Sequence, residues 1–418
     1  SLVIKNSKVF KRWHLDDTKA TKSVFTKIES INNTDKFLRN AVHSQMVSDV
    51  PLGAFLSGGL DSSSIVTFAR EINPRIECFT IDIEGGFGEG FSDDLPYAKR
   101  VAKHLEVPLN IVSTNPKEMS DHLNFMVEQL DEPLTDLAPL NVFFISQLAR
   151  KKGIKVLLSG AGGDDVFTGY RRHVAINYEK YWKWLPSSIL SYAENLSKKI
   201  NVNHPLSRRL RSVLRNASQK GNNSLIAYFN WIDESDLRNI YTHEFNDAIS
   251  NISRDKPMKS YLDFSKLSPD PIEKVLALER RFFLADHNLN YTDKMSMKEG
   301  VEVRVPFLDL DLVNMSYSIP SKYKQRGREG KWVLKKAMEK YLPKDIIYRP
   351  KSGFGAPVRR WVKNELSEIV KEVVFSQSLS NRGFFDLSRV KNLYENNLKG
   401  SIDASYLLLS IVVLELWC

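Results

Sequence analysis

The sequence predicts an α/β protein with a parallel sheet, followed by a mainly helical half. Short apolar strands alternate with helices of about ten to fifteen residues between positions 36 and 170, which is typical of a parallel sheet covered on both faces. After about Arg171 the predicted strands stop, and long segments with helical periodicity follow. We therefore expect a linker at 1–35, an α/β core at 36–175 and a helical part of the same domain at 176–418.

Each element is predicted from its hydrophobic pattern and its end signals. The first core helix is expected at 33–49 with Asn33 or Thr34 as its cap, and the strand 51–56 follows it. Within the linker, a strand is expected near 8–15. Further helices are predicted at 62–72, 92–105, 116–130, 140–153, 271–289 and 330–342, and further strands at 75–83, 107–113 and 154–160.

The composition is that of an ordinary globular protein. Of the 418 residues, 42% are hydrophobic and 26% are charged. The longest apolar stretch, 407–416, is about half as long as a membrane-spanning helix, so no membrane span is expected. Cys78 and Cys418 are the two cysteines in the sequence, which excludes a disulfide framework and a thiolate zinc site. A reducing cytoplasm is the expected location.

The net charge of +10 is concentrated in one segment. Residues 321–364 contain 14 lysines and arginines against three acidic residues. Such local positive charge serves a phosphate-handling site or a nucleic-acid surface. The helical spacing in this segment indicates that most of its aromatic residues are packing residues, so we expect no nucleic-acid partner. Those aromatic residues are Tyr323, Trp332, Tyr341, Tyr348, Phe354 and Trp361.

The sharpest motif is SGGLDSS at 57–63, between a predicted strand and a predicted helix. Its two glycines permit a tight turn, and its serine hydroxyls and helix N-terminal amides would form a cradle for phosphate. Asp61 would repel phosphate in that cradle unless it binds a metal, and Mg²⁺ bridging Asp61 to phosphate oxygens resolves the conflict. The predicted phosphate contacts are Ser57, Gly58, Gly59, Ser62 and Ser63.

A second motif, LSGAGGDD at 158–165, closes the apolar strand predicted at 154–160. Open α/β sheets place their ligand loops at this end of a strand. Asp164 is therefore expected to supply the second carboxylate to Mg²⁺.

These two motifs and three later ones, DKMSM at 293–297, EVRVPFLD at 302–309 and RPKSGF at 349–354, resemble the ATP-dependent asparagine synthetase family in the same order. The resemblance covers nearly all of 36–418. It implies an ATP-pyrophosphatase core of the adenine nucleotide α-hydrolase-like type. It also implies a two-step reaction with Mg-ATP: a carboxylate, most simply that of aspartate, is adenylated with release of pyrophosphate, and ammonia then displaces AMP.

The resemblance also implies roles for individual residues. Lys331 matches the lysine that the family uses to stabilise the oxyanion, which makes Lys331, Asp61 and Asp164 the expected catalytic set. Arg349 and Lys351 are candidates to line the phosphate pocket. The expected adenine contacts are Phe55 and Ile81, the ribose contacts Ser159 and Gly160, and the acceptor-side residues Asp293 and Lys294.

The motif EVRVPFLD also offers charges at strand-like spacing. Because buried charges need partners, we expect Glu302, Arg304 and Asp309 to form a buried ion-pair network that supports the site.

The chain departs from the family pattern at Ala161, where many asparagine-forming members have Glu or Asp. A methyl group cannot accept a proton, so either Asp165 or Asp136 substitutes, or the enzyme amidates a carboxylate other than aspartate. The alternative acceptors are a sugar acid, a peptide or a natural-product precursor. Lys294 in place of arginine is a milder difference.

A second departure is that the chain starts at Ser1 without the catalytic cysteine of a glutaminase domain. We expect the synthetase portion alone, with a glutaminase on another domain or subunit, and a homodimer is left open. Two other functions compete with amide formation: a tRNA-modifying enzyme that shares the SGGLDSS loop, and a non-catalytic remnant that binds nucleotide.

Overall fold

A five-stranded parallel sheet is the centre of the computed structural model, which describes residues 2–5, 8–11, 24–84, 94–197, 207, 211, 214, 217–264, 268–351 and 357–418. The sheet strands are β3 (Leu52–Phe55), β4 (Glu77–Ile83), β5 (Leu109–Thr114), β6 (Val156–Leu158) and β7 (Glu302–Arg304). They lie in the order β5–β4–β3–β6–β7, and every neighbouring pair is parallel. Near the start of the chain, β1 (Leu2–Lys5) and β2 (Lys8–Lys11) form an antiparallel pair.

The strand order decides where a ligand can bind. The chain leaves β3 toward β4 on one side, while β6 lies on the other side of β3. In open α/β sheets, the carboxyl ends of strands at such a switch point flank a crevice. The loop after β3 carries SGGLDSS and the loop after β6 carries SGAGGDD, so the sheet brings the two motifs side by side.

Helices cover both faces of the sheet. On one face, Ala54, Cys78 and Leu158 are buried in a core with side chains from the first three helices. On the other face, Phe79 and Leu157 pack against the sixth helix. The helices of this half are α1 (Lys27–Gln45), α2 (Leu60–Ile72), α3 (Leu95–Leu105), α4 (Pro116–Asp121), α5 (Leu123–Gln129), α6 (Ala138–Lys151) and α7 (Gly163–Phe167).

The second half of the chain is mainly helical, and the predicted fold class is confirmed. Its elements are the α-helices Arg171–Glu179, Ser187–Ser197, Gly221–Ala227, Glu234–Ile240, His243–Ala248, Lys256–Phe264, Pro271–Leu278, Asn290–Lys298, Leu310–Ser316, Ser321–Lys324, Trp332–Met338, Lys344–Ile347, Val358–Lys363, Ser367–Val374, Gln377–Asn381, Leu387–Leu398 and Ser405–Trp417, the π-helix Glu279–Leu289 and the 3₁₀ turn Pro306–Leu308. Of the helices in the described residues, none has the length and apolar character needed to cross a membrane.

Two expectations about helix ends are wrong. Helix α1 begins at Lys27, because Thr26 and Glu29 form a capping box in which each side chain bonds the other residue's backbone N–H. Asn33 and Thr34 therefore lie inside the helix instead of capping it. The helix expected at 116–130 is divided into α4 and α5 at His122, whose backbone leaves the helical region.

The expectation that strands stop after about Arg171 is also wrong, because β7 completes the sheet beside β6. The chain returns to the sheet 144 positions after β6 ends, too far for a local pattern to predict the pairing. The boundaries predicted near 35 and 175 stay predictions, and residues 27–35 of the expected linker belong to α1.

The buried ion-pair network expected around β7 is not formed. Glu302 is exposed and pairs with Arg304 at 2.7 Å between Oε1 and Nε. The Arg304 guanidinium also donates to the backbone carbonyls of Gln45 and Val47, while Asp309 caps the next helix. These side chains connect β7, the last strand of the sheet, to neighbouring parts of the chain.

Candidate functional site

A cavity of about 840 Å³ lies at the carboxyl ends of β3 and β6. It brings the predicted phosphate loop, the second motif and the basic segment together. The residues that line it include Phe55, Ser57, Gly59, Asp61, Ser62, Phe79, Thr80, Asp94, Asp136, Ser159, Gly160, Ala161, Asp164, Asp165, Tyr170, Tyr291, Thr292, Lys331, Lys335, Arg349 and Lys351.

Four charged side chains form the centre of the cavity. The Lys331 ammonium bonds the carboxylate of Asp61 and lies 2.6 Å from Oδ1 of Asp164. The Lys351 ammonium lies 2.6 Å from the other oxygen of Asp164 and over the ring of Tyr170. Two cations and two carboxylates thus neutralise one another; Lys331, Asp61 and Asp164 are largely withdrawn from solvent, whereas the Lys351 side chain is 40% exposed.

Burial and these neighbours shift the pKa values of the cluster. Burial raises the pKa of Asp61 more than the Lys331 charge lowers it, so the net shift is upward. Burial also acts to raise the pKa of Asp164, but Lys331 and Lys351 together reverse this and hold it well below its usual range. For Lys331, the two carboxylates outweigh burial and raise its pKa. Burial lowers the pKa of Lys351.

The backbone holds Lys331 in an unusual conformation to direct its side chain inward. Its φ is +56°, which only a few per cent of residues other than glycine adopt. Its N–H contacts two acceptors, the carbonyl of Phe167 at 3.2 Å and the hydroxyl of Thr168 at 3.0 Å. Lys331 precedes the helix Trp332–Met338, whose Trp332 and Val333 are buried, and that packing fixes the position of the turn.

Because Gly169 has no side chain, the charged groups of Asp164 and Lys331 have space to lie against it. A Cβ added at this position would lie 1.7 Å from Oδ1 of Asp164 and 2.7 Å from Cε of Lys331. Gly163 is similar, since a Cβ there would lie 2.6 Å from Oδ1 of Asp61. Any larger residue at either position would push a charged side chain out of place.

The phosphate loop is held by its own hydroxyls and by a distant arginine. Ser57 Oγ and Ser62 Oγ are 3.2 Å apart, and Ser62 Oγ donates to the carbonyl of Gly59 at 3.2 Å. The Arg349 guanidinium is nearly buried, donates to the carbonyl of Gly58 at 3.2 Å and pairs with Asp94. Arg349 therefore stabilises the loop through the carbonyl of Gly58 and also lines the cavity.

The donor set fits a magnesium ion that is shared with phosphate oxygens. Asp61 Oδ1 is buried and has no hydrogen-bond partner among the described residues. In the described ranges, no group of three or more His, Cys, Asp or Glu residues is arranged to hold a metal. Mg²⁺ commonly takes one or two carboxylates and completes its shell with phosphates and water. Asp61 and Asp164 meet that requirement, and a site built entirely from protein ligands does not form there.

The cavity that Ala161 lines also contains two further carboxylates, Asp165 and Asp136, of different character. Asp165 is 1% exposed, and the Tyr170 hydroxyl lies 3.4 Å from it. Burial, together with Glu279 and Asp164, raises the pKa of Asp165 to about 8. Asp136 is more accessible and lies 3.5 Å from Nε2 of His287.

Several predicted site residues lie outside the cavity lining. Gly58 and Ser63 are not among the lining residues, and Ile81, on β4, packs against the core. Asp293 is exposed, and Lys294 pairs with Asp131 at 2.5 Å. The ligand contacts expected for these five residues stay predictions. Sequence reasoning did not single out Thr168, Asp94, Phe79 or Thr80, which carry no motif signal of their own.

Comparison with known proteins agrees with the motifs. The family model for asparagine synthase matches residues 33–418. The chain is 29% identical over 378 residues to glutamine-hydrolysing asparagine synthetase 1 of Bacillus subtilis (strain 168), a match that covers 90% of this chain and 57% of that protein. It is 23% identical over 402 residues to the amidase chyE of Penicillium rubens, covering 88% of this chain and 58% of that protein.

The chain thus spans a little over half the length of these two relatives. Among solved structures, NMN synthetase from Francisella tularensis aligns over 64% of this chain and 96% of its own, with 11% identity and a TM-score of 0.25.

Proposed function

Because the chain belongs to the asparagine synthase family, we propose that it is an ATP-dependent amidoligase, a carbon–nitrogen ligase that forms an amide from a carboxylate and ammonia. In the first step, a substrate carboxylate oxygen attacks the α-phosphorus of ATP and pyrophosphate leaves. In the second step, the ammonia nitrogen attacks the acyl carbon, the bond to the AMP oxygen breaks, and the amide forms as one proton is lost.

The observation that carries this proposal is the position of Lys331 between Asp61 and Asp164 in the wall of the cavity. Breaking the bond to pyrophosphate places negative charge on the leaving oxygens, and fixed cations nearby lower the energy of that state. Lys331 and Lys351 are such cations. The loop hydroxyls of Ser57 and Ser62 and the first turn of α2 offer hydrogen-bond donors to the same phosphates.

Asp61 and Asp164 would hold a magnesium ion when Mg-ATP binds. The ion would neutralise phosphate charge during adenylation. With the carboxylates of Asp61 and Asp164 engaged in holding the ion, Lys331 would no longer be their main partner. Its ammonium would then be free to hydrogen-bond the acyl oxygen, where negative charge develops in the second step.

The proton lost by ammonia needs an acceptor, and we propose Asp136. Asp165 is protonated in large part at neutral pH because its pKa is about 8, so it is a poor acceptor there. Asp136 lines the cavity and lies 3.5 Å from Nε2 of His287. Asp136 would thus take the role of the acidic side chain that many family members have at the position of Ala161.

Aspartate is the proposed carboxylate, and a second candidate is a different acid. The observation that favours the second candidate is Ala161, whose methyl group lies in the cavity wall. One relative, at 23% identity, is named as an amidase and not as an asparagine synthetase, which supports keeping a second acid as a candidate. Ammonia would come from a glutaminase domain or subunit, and the cytoplasmic location and the homodimer stay predictions from the sequence.

A tRNA-modifying enzyme has less support. Trp332 and Trp361 of the basic segment are 2% and 0% exposed, so their rings pack in the core and are not available to stack on bases. Phe354 lies outside the described residues. The absence of a nucleic-acid partner stays a prediction. A non-catalytic remnant is disfavoured because Asp61, Asp164 and Lys331 are all present and in contact.

The test is exchange of labelled pyrophosphate into ATP with Mg²⁺, run with aspartate and with a panel of sugar acids, peptides and other carboxylates. We expect exchange that depends on one acid, with an Asp61→Ala variant as the negative control. Asparagine formation from aspartate and ammonia would establish the first candidate, and exchange with another acid would establish the second. Wild-type exchange that equals that of Asp61→Ala with every acid would overturn the proposal.

A further inference from the structure

The wall of the cavity beside Asp164 is fastened by a buried histidine that does not itself line the cavity. His173 is 0% exposed, and its Nδ1 accepts hydrogen bonds from two backbone N–H groups, those of Gly169 at 2.9 Å and Tyr170 at 3.2 Å. A ring nitrogen that accepts hydrogen bonds carries no proton. The backbone of this turn therefore requires the tautomer with its proton on Nε2.

Glu279 selects that tautomer from the other side of the ring. Its Oε2 lies 2.8 Å from Nε2 of His173, and its Oε1 bonds the Nε of Arg172. Glu279 is fully buried. Because a carboxylate can only accept at this position, the ring must donate from Nε2, which leaves Nδ1 free to accept.

Glu279 begins the π-helix Glu279–Leu289, a rare geometry that often marks functional regions. The next residue, Arg280, donates to the carbonyl of Asp165 at 3.1 Å. The start of the π-helix thus contacts α7 directly at Asp165, and it contacts the turn after α7 through His173.

This turn has little freedom where it meets the charged cluster. Gly169 lies against the side chains of Asp164 and Lys331, so that not even a methyl group fits between them. The neighbouring Thr168 hydroxyl accepts from the Lys331 N–H. A shift of the turn by a fraction of an ångström would therefore move both charged groups.

We propose that His173 is a positioning residue, held by Glu279 as the Nε2-protonated tautomer, that fixes the Gly169–Tyr170 backbone and thereby the Asp164–Lys331 pair. Residues that orient groups in direct contact with a metal or substrate typically change rates by about 10- to 100-fold when replaced. The inference rests on the proposed function for its kinetic test alone, since the tautomer can be measured without any substrate.

The tautomer is measured by NMR on the full chain with ¹⁵N-labelled histidine at neutral pH. We expect the His173 signal, assigned by its loss in a His173→Asn variant, to show a protonated Nε2 and an unprotonated Nδ1. A proton on Nδ1, in either the neutral or the charged ring, would overturn the inference whatever the enzyme's activity.

The kinetic test separates the two hydrogen-bonding sides of the ring. In His173→Asn the amide oxygen replaces Nδ1 as the acceptor for the Gly169 N–H, whereas in His173→Gln the amide replaces Nε2 beside Glu279. We expect pyrophosphate exchange to stay near wild type in His173→Asn and kcat to fall about 10- to 100-fold in His173→Gln, with KM for ATP little changed.

An exposed histidine provides the control, since His243→Asn removes only a surface contact to Asp247. Equal losses of kcat in His173→Asn and His173→Gln, or no loss in either, would overturn the positioning role. If the wild-type chain itself catalyses no exchange, the proposed function fails, and the tautomer measurement still decides the inference about His173.

Discussion

The backbone N–H of Lys331 donates a 3.0 Å hydrogen bond to the hydroxyl of Thr168, a residue 163 positions earlier in the chain, and both residues have positive φ. The Thr168 φ and ψ of +70° and 163° lie in a region that is otherwise nearly reserved for glycine. Two strained residues are thus joined directly beside the charged cluster. Strain of this kind persists where the surrounding structure overdetermines the conformation, as it does at functional sites.

The first prediction concerns the Thr168 hydroxyl. It also donates to the carbonyl of Lys324 at 3.0 Å, so Thr168→Val leaves that carbonyl without this donor in a buried place. We expect Thr168→Val to lower the free energy of unfolding by about 1–3 kcal/mol. Thr168→Ser keeps both hydrogen bonds and is the matched control. Urea unfolding of both variants checks this, and equal stability of the two would contradict it.

The second prediction concerns the space at Gly169. In Gly169→Ala the new Cβ would overlap Oδ1 of Asp164, so we expect pyrophosphate exchange to fall about 100-fold or more. The control is Gly153→Ala, at φ +80° with no atom within 4 Å of the added Cβ. In Gly153→Ala the left-handed backbone lowers the stability of the folded state by about 1 kcal/mol, and the added Cβ makes no clash. Loss of exchange in both variants alike would mean that general destabilisation is the cause.

The third prediction concerns the pH dependence of stability at Glu279. Burial acts to raise the pKa of Glu279, but His173 and Arg172 together lower it by more than burial raises it. The net pKa is therefore below the usual 4.5. The folded state therefore binds the proton less readily than the unfolded state. The stability that this carboxylate contributes is complete above about pH 4.5 and is lost as the pH falls through the lower folded pKa.

The matching variant is Glu279→Gln, which removes the charge but keeps the size. We expect it to be less stable than wild type by about 3 kcal/mol at pH 7, because the Arg172 charge loses its buried partner. The difference should shrink as the pH is lowered below 4.5. Denaturant unfolding at a series of pH values measures this, and a difference that grows toward acid pH would contradict the sign.

The fourth prediction separates the two chemical steps. If Asp136 accepts the proton of the attacking ammonia, Asp136→Asn should slow amide formation by about 100-fold or more and leave pyrophosphate exchange nearly unchanged. Asp121→Asn, at an exposed position on α4, is the control. Amide formation is followed by mass spectrometry of the product. Equal losses in both steps would assign Asp136 to carboxylate binding or folding instead.

The local pattern was enough to predict β3, β4, β5 and β6 and most of the helices between them, because an apolar run changes to a helical period within a few residues. The exception is the helix expected at 116–130, which is divided at His122. The glycines and serines of 57–63 likewise indicated a phosphate cradle from their own chemistry. Two other failures have different origins. The cap of α1 is a local capping box between Thr26 and Glu29 that the sequence analysis overlooked, whereas β7 gains its strand pairing from β6, which lies far away in the chain.

The sequence by itself determined the family and the parallel sheet, because motif order and hydrophobic pattern can be read along the chain. The chemistry of their own motifs singled out Asp61 and Asp164, whereas Lys331 was predicted only from the resemblance to the family. The tertiary structure alone decided that Lys331 lies between the two carboxylates, and that His173 and Glu279 hold the turn beside them. Those contacts join segments more than a hundred positions apart. Their geometry follows from strand order and core packing, which no short stretch of sequence encodes.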